Sequence, residues 1–362
     1  MFALDLPKDL NSTDRMLIEA AQKHGVKIKR VNKKYVVMGL GRSVYKVRIT
    51  AMPASFNAKK AVQFAKDKAA TIKVLRERGL PTPQNRLFSP DELEDAWNWA
   101  QPLLPIVLKP NSGKWGTLVF VNVNSYDEFA KAFSEIGAEY QDILVEQFVQ
   151  GDEYRFTCIK GRVVAIVHRC PANIIGDGKQ TIEQLVRQKN KAKAAKNLNA
   201  QKWLMLDAES TRILDTQGYN VQSVPPEGER VYLRRNSNIS TGGDSIDVTD
   251  TMDQEIVQMV SKASSVISGL DICGIDVLID EDKRANIIEI NGTPGFNVHR
   301  YPWEGQPRDV AAMLVEAMFP SQNSKSIGGW LRYESLVTYF RVRFLGKKML
   351  VHLFNKKDQA NS

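Results

Sequence analysis

The pattern of apolar and polar positions along the chain predicts a mixture of helices and short strands. Apolar residues recur at helical spacing in 12–25, 57–83, 125–137, 253–270 and 307–319. We expect 57–83 to form one helix that Gly79 closes, and Ser12 or Thr13 to cap the first helix. Short apolar or alternating runs predict strands at 26–31, 34–39, 43–49, 105–110, 116–123, 142–149, 153–161, 162–169, 230–235, 272–280 and 286–291.

The mixed order of these elements indicates an α/β (α+β) fold. A chain of 362 residues is too long for one ordinary core. We expect an N-terminal α/β lobe over 1–60, a main domain over 61–320 and a basic amphipathic tail over 321–362. The main domain divides into a central part, about 61–150, and a C-terminal part from about 151, in which 171–230 forms a lid.

Composition narrows the setting of the protein. No signal peptide and no membrane-spanning run is visible, and the three cysteines are scattered, which favours a reduced cytoplasmic protein. The formal net charge of +9 and a pI near 9.3 suit an anionic partner such as a nucleotide or an acidic peptide, although a merely soluble basic protein fits equally well. No nucleic-acid recognition motif is present.

Polar side chains interrupt the last predicted strand hairpin. Glu289 and Asn291 lie two residues apart and therefore face the same side of their strand, and Asp276 lies on the preceding strand. If the two strands pair across a tight turn, the three side chains converge. Two carboxylates and an amide oxygen are ligands that Mg²⁺ prefers. An acid/base pair of carboxylates and an exposed polar hairpin remain alternatives.

Candidate nucleotide-binding residues lie upstream. Lys109 ends a buried strand, where a lysine is costly unless it meets an anion. The turn "NSGKWG" follows and offers backbone N–H groups to phosphate, although it is not a Walker A loop. In "VEQFVQGDEYRF", Glu153 is placed to accept ribose hydroxyls, and the segment around Glu146 to contact adenine.

Four motifs in this order, "VEQFVQGDEYR", "VYLRRNSNISTGG", "GIDVLID" and "IIEINGTPGFN", resemble the ATP-grasp fold. The similarity covers roughly residues 60–320 and is closest to the branch that includes cyanophycin synthetase and bifunctional glutathione synthetase. It implies a nucleotide held between two α+β subdomains, with ATP and two Mg²⁺ ions as cofactors and Mn²⁺ as a substitute metal.

The resemblance also implies residue roles. Arg234 and Lys109 would act in catalysis. The residues implied for ATP are Lys68, Lys109, Gly113, Gly116, Glu146, Phe148 through its backbone, and Glu153. The residues implied for the substrates are Arg155, Arg169, Asn238, Thr241, Gly242 and Gly243. The implied metal ligands are Asp276, Glu289 and Asn291.

The implied reaction is ATP-dependent amide formation through an acyl phosphate, joining amino acids or adding one to a short peptide. There are two alternatives. One is a glutathione-synthetase-like or other ATP-grasp ligase of different substrate class, and the other is a non-catalytic ATP-binding regulator. The phosphate loop departs from the branch at Leu118, where relatives usually carry a second glycine. That residue predicts a stiffer loop.

Two basic segments hold none of the residues assigned above, although the first lies in the lid that we expect to face the substrate. Residues 187–202 hold too few apolar side chains for a core helix, so we expect a solvated helix or a lid whose lysines face either solvent or an acidic peptide. The tail carries Trp330, Tyr333, Val337 and Phe340 at helical spacing. This stripe predicts burial on the protein's own surface or on a second subunit of a homo-oligomer, with an anionic membrane as the alternative.

Overall fold

A computed structural model of the chain describes residues 10–113, 118–195, 203–235, 237, 241–320, 333–335 and 337–339. The chain forms two compact units. One unit combines residues 1–58 with 309–362, and the other spans 59–308. The sequence had placed the helix at 307–319 in the main domain, whereas the structure groups residues from 309 onward with the N-terminal lobe.

The helices and strands have the following bounds. The helices are α1 (Ser12–Lys23), α2 (Lys59–Phe64), α3 (Lys68–Glu77), α4 (Leu93–Ala100), α5 (Tyr126–Gly137), α6 (Ile182–Ala195), α7 (Ala208–Thr216), α8 (Gln254–Ser264), α9 (Asn297–Arg300) and α10 (Val310–Met318). The strands are β1 (Lys27–Arg30), β2 (Tyr35–Leu40), β3 (Ser43–Arg48), β4 (Asn85–Phe88), β5 (Ile106–Pro110), β6 (Phe120–Val123), β7 (Ile143–Gln147), β8 (Asp152–Ile159), β9 (Arg162–Cys170), β10 (Asn173–Ile175), β11 (Arg230–Tyr232), β12 (Asp244–Asp247), β13 (Ile272–Ile279) and β14 (Ala285–Asn291).

The first unit is built on the antiparallel sheet β1-β2-β3. Helices α1 and α10 pack on each other, and the rings of Tyr45, Phe56 and Phe319 meet edge to face. The tail residues Tyr333 and Val337 are buried against Val37 of this sheet, and a side chain at Gly39 would overlap the Tyr333 ring. For these two residues the own-surface prediction is therefore confirmed, while Trp330 and Phe340 lie outside the described residues.

In the second unit, the sheet β4-β7-β5-β6 packs its apolar face on α4 and α5. The buried residues Leu108 and Val145 point into this core. Because side chains alternate along a strand, Lys109 and Glu146 point to the opposite face. The pattern of the sequence thus places one buried charge on each of two neighbouring strands.

The sheet β12-β9-β8-β13-β14 carries an apolar face and a polar face. Phe156 and Ile275 lie on the apolar face with Val260 of α8, in the largest buried cluster of this unit. The polar face holds the alternate positions of the same strands. The hairpins β8–β9 and β13–β14 that the sequence predicts are both present.

The structure corrects two predictions about helices. The predicted helix at 57–83 is two helices, α2 and α3, because Asp67 caps α3 by accepting a hydrogen bond from the Ala70 amide. The first helix is capped by Asn11 rather than by Ser12 or Thr13.

The predicted solvated lid is also partly wrong. Helix α6 buries Leu185 and Val186 in a small core with β10, β11 and α7. Lys193 is only 3% exposed and pairs with Asp244, as does Lys189, so neither lysine faces solvent. Burial lowers the pKa of Lys193, and Asp244 opposes this shift. These two lysines fasten α6 to β12, whereas residues 196–202 lie outside the described part of the chain.

None of the helices within the described residues is both long and apolar enough to cross a lipid bilayer.

Candidate active site

The polar face of the five-stranded sheet gathers charged residues in fixed register. Asp276 of β13 lies directly opposite Arg155 of β8 on one side and Glu289 of β14 on the other. Asn291 lies one step further along, opposite Gly274. A register shift after Asp276 brings Asp276 and Glu289 into this direct pairing. The predicted convergence of Asp276, Glu289 and Asn291 on one face is therefore present.

Asp276 is held by two arginines. Arg155 donates from Nε and Nη2 to both carboxylate oxygens, and the Nη2–Oδ2 distance is 2.7 Å. Arg169 Nη1 lies 3.4 Å from Oδ2. Burial raises the pKa of Asp276, but the two guanidinium groups outweigh it, so the pKa is below its usual value. Asp276 therefore carries a negative charge at neutral pH.

The donor chemistry of this face fits a divalent cation of the hard, oxygen-binding type. Two carboxylates directly opposite each other repel unless cations lie beside them. A carboxylate offers about four lone-pair sites, so the two bonds from Arg155 leave further sites on Asp276 for a metal. Asn291 Oδ1 accepts from the Thr293 amide at 2.8 Å, which orients its oxygen. No cluster of three His, Cys, Asp or Glu side chains occurs in the described residues, so any metal here depends on the amide oxygen as well.

Lys109 and Glu146 form a buried ion pair beside this face. Their Nζ and Oε1 atoms are 2.9 Å apart, and the residues are 8% and 3% exposed. The second carboxylate oxygen of Glu146 is buried and has no hydrogen-bond partner among the described residues. A buried acceptor of this kind is costly. The open oxygen of Glu146 is therefore suited to accept a hydrogen bond from a ligand. The resemblance to the family implies adenine as that ligand.

Lys68 stands at the N-terminus of α3 and reaches the same region. Its Nζ donates to the carbonyl oxygen of Gly113 at 3.2 Å. Burial lowers the pKa of Lys68, while attraction from Glu289 opposes the shift and Lys109 adds to it. The lysines implied for phosphate and the carboxylates implied for metal are therefore electrostatic neighbours in this structure.

The loop after β5 has a strained residue at its end. Leu118 has φ +53°, in the left-handed region that favours glycine. Its side chain packs against the core of the β4–β7 sheet. The resemblance to the family predicts glycine at this position, and the left-handed backbone is one that glycine adopts without strain. Gly116 lies outside the described residues.

Glu153 and Phe148 flank the site. Glu153 accepts from Arg169 Nη1 at 2.6 Å and from the Ser237 hydroxyl. The amide of Phe148 donates to the carbonyl oxygen of Pro105 at 3.1 Å, so this amide is already bonded within the protein. The ribose and adenine roles of these residues stay predictions.

Arg234 makes its contacts elsewhere. It is 5% exposed, and its guanidinium lies 2.6 Å from Asp207 and 3.4 Å from Glu209, both at the N-terminal turn of α7. Its Nη1 donates to the carbonyl oxygen of its neighbour Leu233. The structure therefore does not show Arg234 bonded to the Asp276 group, and its catalytic role stays a prediction.

The glycine segment after Arg234 is described only in part. Gly242 has φ +100°, its carbonyl oxygen accepts from Lys193 Nζ at 2.8 Å, and Gly243 is buried beside it. Thr241 precedes them, and Asn238 lies outside the described residues.

Sequence reasoning assigned no role to His299. This fully buried residue of α9 has its Nε2 atom 2.7 Å from the hydroxyl of Thr157, which lies on the polar face of β8. Burial, and then the charges of Arg155 and Arg169, lower the pKa of His299 to about 3. The imidazole is therefore neutral at physiological pH. Nothing in the sequence pattern around His299 predicts the burial of its side chain.

Comparison with known proteins identifies the class. The model of the ATP-grasp domain family matches residues 65–295 of the chain. The chain belongs to the ATP-grasp family, and the matched residues fall within the unit that holds the polar sheet face.

Individual relatives define the branch. The chain is 31% identical over 334 residues to cyanophycin synthetase of Trichormus variabilis, covering 89% of this chain and 37% of that protein. It is 36% identical over 271 residues to the glutathione biosynthesis bifunctional protein of Streptococcus agalactiae, covering 70% and 35%. The crystal structure of a bifunctional glutathione synthetase from Pasteurella multocida superposes with a TM-score of 0.64 at 27% identity, covering 86% of this chain and 44% of that chain. The chain thus spans little more than a third of the curated relatives it matches.

Proposed function

We propose that the chain is an ATP-dependent carboxylate–amine ligase that joins amino acids or adds one to a short peptide. The observation that carries this proposal is the meeting of two opposed carboxylates, Asp276 and Glu289, with the lysines Lys68 and Lys109. Oxygen ligands beside lysine ammonium groups suit a metal-bound nucleoside triphosphate. Membership of the ATP-grasp family supports the same conclusion.

In the proposed reaction, an oxygen of the substrate carboxylate attacks the γ-phosphorus of ATP, and the bond to the β,γ-bridging oxygen breaks to release ADP. The amine of the second substrate then attacks the acyl carbon, loses a proton and expels phosphate. Lys109 and Lys68 stabilise the phosphate charge as it moves. Magnesium held by Asp276, Glu289 and Asn291 would neutralise further charge on the phosphates.

Binding of the adenosine is proposed for the other end of the site. Glu146 offers its open carboxylate oxygen. Glu153, whose two oxygens accept from Arg169 and Ser237, would accept the ribose hydroxyls through its remaining lone pairs. An acyl phosphate escapes hydrolysis only if water is kept out of the site. In the proposed reaction, closure of the loop after β5 would exclude the water. Arg234 would have to leave Asp207 and Glu209 to reach the phosphoryl group.

The test is a screen of amino acids and dipeptides, offered in pairs, for release of phosphate from Mg·ATP. We expect ADP and phosphate to form in equal amounts only when both a carboxylate and an amine substrate are present, and mass spectrometry to show the amide product. Nucleotide binding without turnover for any pair would favour the non-catalytic regulator. Turnover with a thiol as the acceptor would show a ligase of another substrate class.

A further inference from the structure

Arg155 is bonded to Asp276 through two of its three guanidinium nitrogens. It is 7% exposed, lies in register with Asp276 on the neighbouring strand, and gives both fork nitrogens to the two oxygens of that carboxylate. A bidentate arginine–carboxylate pair fixes the plane and direction of the carboxylate. The resemblance to the family assigns Arg155 to a substrate carboxylate, but the fork is already filled by Asp276.

Gly274 gives the guanidinium its room. A Cβ atom at this position would lie 3.0 Å from Cδ and 3.1 Å from Nη1 of Arg155, and 3.2 Å from Cβ of Pro294. These distances are shorter than ordinary van der Waals contact, so a side chain would push Arg155 away from Asp276. The glycine two residues before Asp276 therefore serves the arginine, not a turn.

Arg169 differs from Arg155 in its remaining donors. Its Nη1 lies between Glu153 at 2.6 Å and Asp276 at 3.4 Å. Its Nε is buried and has no hydrogen-bond partner within the described residues. The buried Nε of Arg169 is therefore a donor that an anionic group can use.

We propose that Arg155 is a positioning residue that orients Asp276 toward the metal, and that substrate recognition falls to Arg169. The inference rests on the proposed function, because it concerns the metal site of that reaction. Arg155 also offsets the repulsion between Asp276 and Glu289, which face each other. Partners that orient a metal ligand typically change metal affinity about 10- to 100-fold when they are removed.

The first experiment compares Arg155→Lys with wild type in a titration of Mn²⁺ in the presence of ADP, followed by electron paramagnetic resonance. Lysine keeps the charge and loses the fork. We expect the dissociation constant of Mn²⁺ to rise about tenfold, while the KM of the carboxylate substrate changes less than about threefold. Arg308→Lys is the matched control, because Arg308 makes a similar fork to Asp247 on the edge strand β12, three strands away from Asp276. It should leave Mn²⁺ affinity unchanged.

The second experiment asks whether Arg155 acts through Asp276. In an Asp276→Asn background, Arg155→Lys should have almost no further effect on Mn²⁺ affinity, because the two residues form one unit. Gly274→Ala keeps every charge, and its methyl group would press most closely on the Arg155 side chain and less closely on Pro294. It should weaken Mn²⁺ in the same direction as Arg155→Lys, so the test stands even if one variant folds poorly.

The outcomes separate the alternatives. A higher substrate KM with normal Mn²⁺ affinity in Arg155→Lys would show that Arg155 is a substrate ligand and would overturn the inference. Additive effects in the double variant would overturn it as well. If the wild type binds Mn²⁺·ADP and the Arg155 and Gly274 variants bind it equally well, the inference is refuted but the proposed function is not. A wild type that binds no metal with nucleotide refutes the proposed function too.

Discussion

Two regions of the ATP-grasp unit place their charged residues differently. One is the polar face of the five-stranded sheet. The other is the α6–α7 module, which consists of α6, α7, β10, β11 and the adjoining Arg234. On the sheet face, Asp276 and Glu289 are set opposite each other by strand register. On the module, Arg234 is held by Asp207 and Glu209 of α7. Family resemblance assigns all of these residues to one reacting centre. The difference teaches that strand pairing sets the proposed metal ligands in place, whereas the arginine has an alternative partner inside the protein.

The largest effect should come from the preformed part. Replacing Glu289 with Gln removes a charge that offsets the metal, and we expect turnover to fall at least about a hundredfold with the fold intact. Glu281→Gln, an exposed acid on the same hairpin, is the control and should keep wild-type turnover. Phosphate release and circular dichroism measure the two quantities. Near-normal turnover of the Glu289 variant would remove the metal assignment.

A second prediction concerns the buried pair next to this face. Lys109→Ala leaves Glu146 buried and unpaired, so we expect a loss of about 3–5 kcal/mol in the free energy of unfolding, together with weaker nucleotide binding. The double variant Lys109→Met, Glu146→Leu should regain most of the stability and none of the nucleotide affinity. Urea unfolding and calorimetric titration with ADP distinguish the two effects. If the double variant is as unstable as Lys109→Ala, the unpaired charge of Glu146 is not the cause of the lost stability.

The module should behave differently from the sheet face. Arg234→Ala should lower turnover about a hundredfold while the dissociation constant of ATP changes little, because Arg234 is bonded to α7 in the free protein and would act only on the transferring phosphoryl group. Steady-state kinetics and equilibrium binding check this. If Lys109→Ala and Arg234→Ala change binding and turnover in equal measure, the two regions do not have separate roles.

A smaller effect is expected from pH. The pKa of His299 is lowered from 6.5 to about 3 in the folded protein. Between these values the unfolded chain binds a proton that the folded chain does not, so stability is lost as pH falls below the unfolded value. From pH 7 to pH 5 this amounts to about 2 kcal/mol. Urea unfolding at both values should show a smaller pH dependence in His299→Gln, and an unchanged dependence would exclude His299 as the source.

The smallest effect concerns the end of the phosphate loop. Leu118 pays a left-handed backbone penalty of about 1 kcal/mol or more, which glycine avoids. We therefore expect Leu118→Gly to be more stable than Leu118→Ala by about 1 kcal/mol, since both lose the same packing against the core. Thermal unfolding decides the order. An alanine variant at least as stable as the glycine variant would show that the backbone is not strained at this position.

Residues whose position follows from strand alternation could be predicted from the sequence. The shared face of Glu289 and Asn291 and the two hairpins follow from a period of two and a tight turn. The pairing of Asp276 with Glu289 depends in addition on the register shift after Asp276, which the sequence pattern does not give. The bounds of α2 and α3 could not, because a single capping bond from Asp67 divides an otherwise helical pattern. The burial of Lys189 and Lys193 was missed because their partner, Asp244, is distant in sequence. The same reason hid the Arg155–Asp276 fork and the contact of His299 with Thr157.

The most direct test of the central claim counts metal ions on the sheet face. Mn²⁺ is titrated into the wild-type chain and into Glu289→Gln, each with a non-hydrolysable ATP analogue, and bound ions are counted by electron paramagnetic resonance. The account predicts two ions per chain in the wild type and the loss of at least one in the variant. Equal stoichiometry and equal affinity in the two proteins would contradict it.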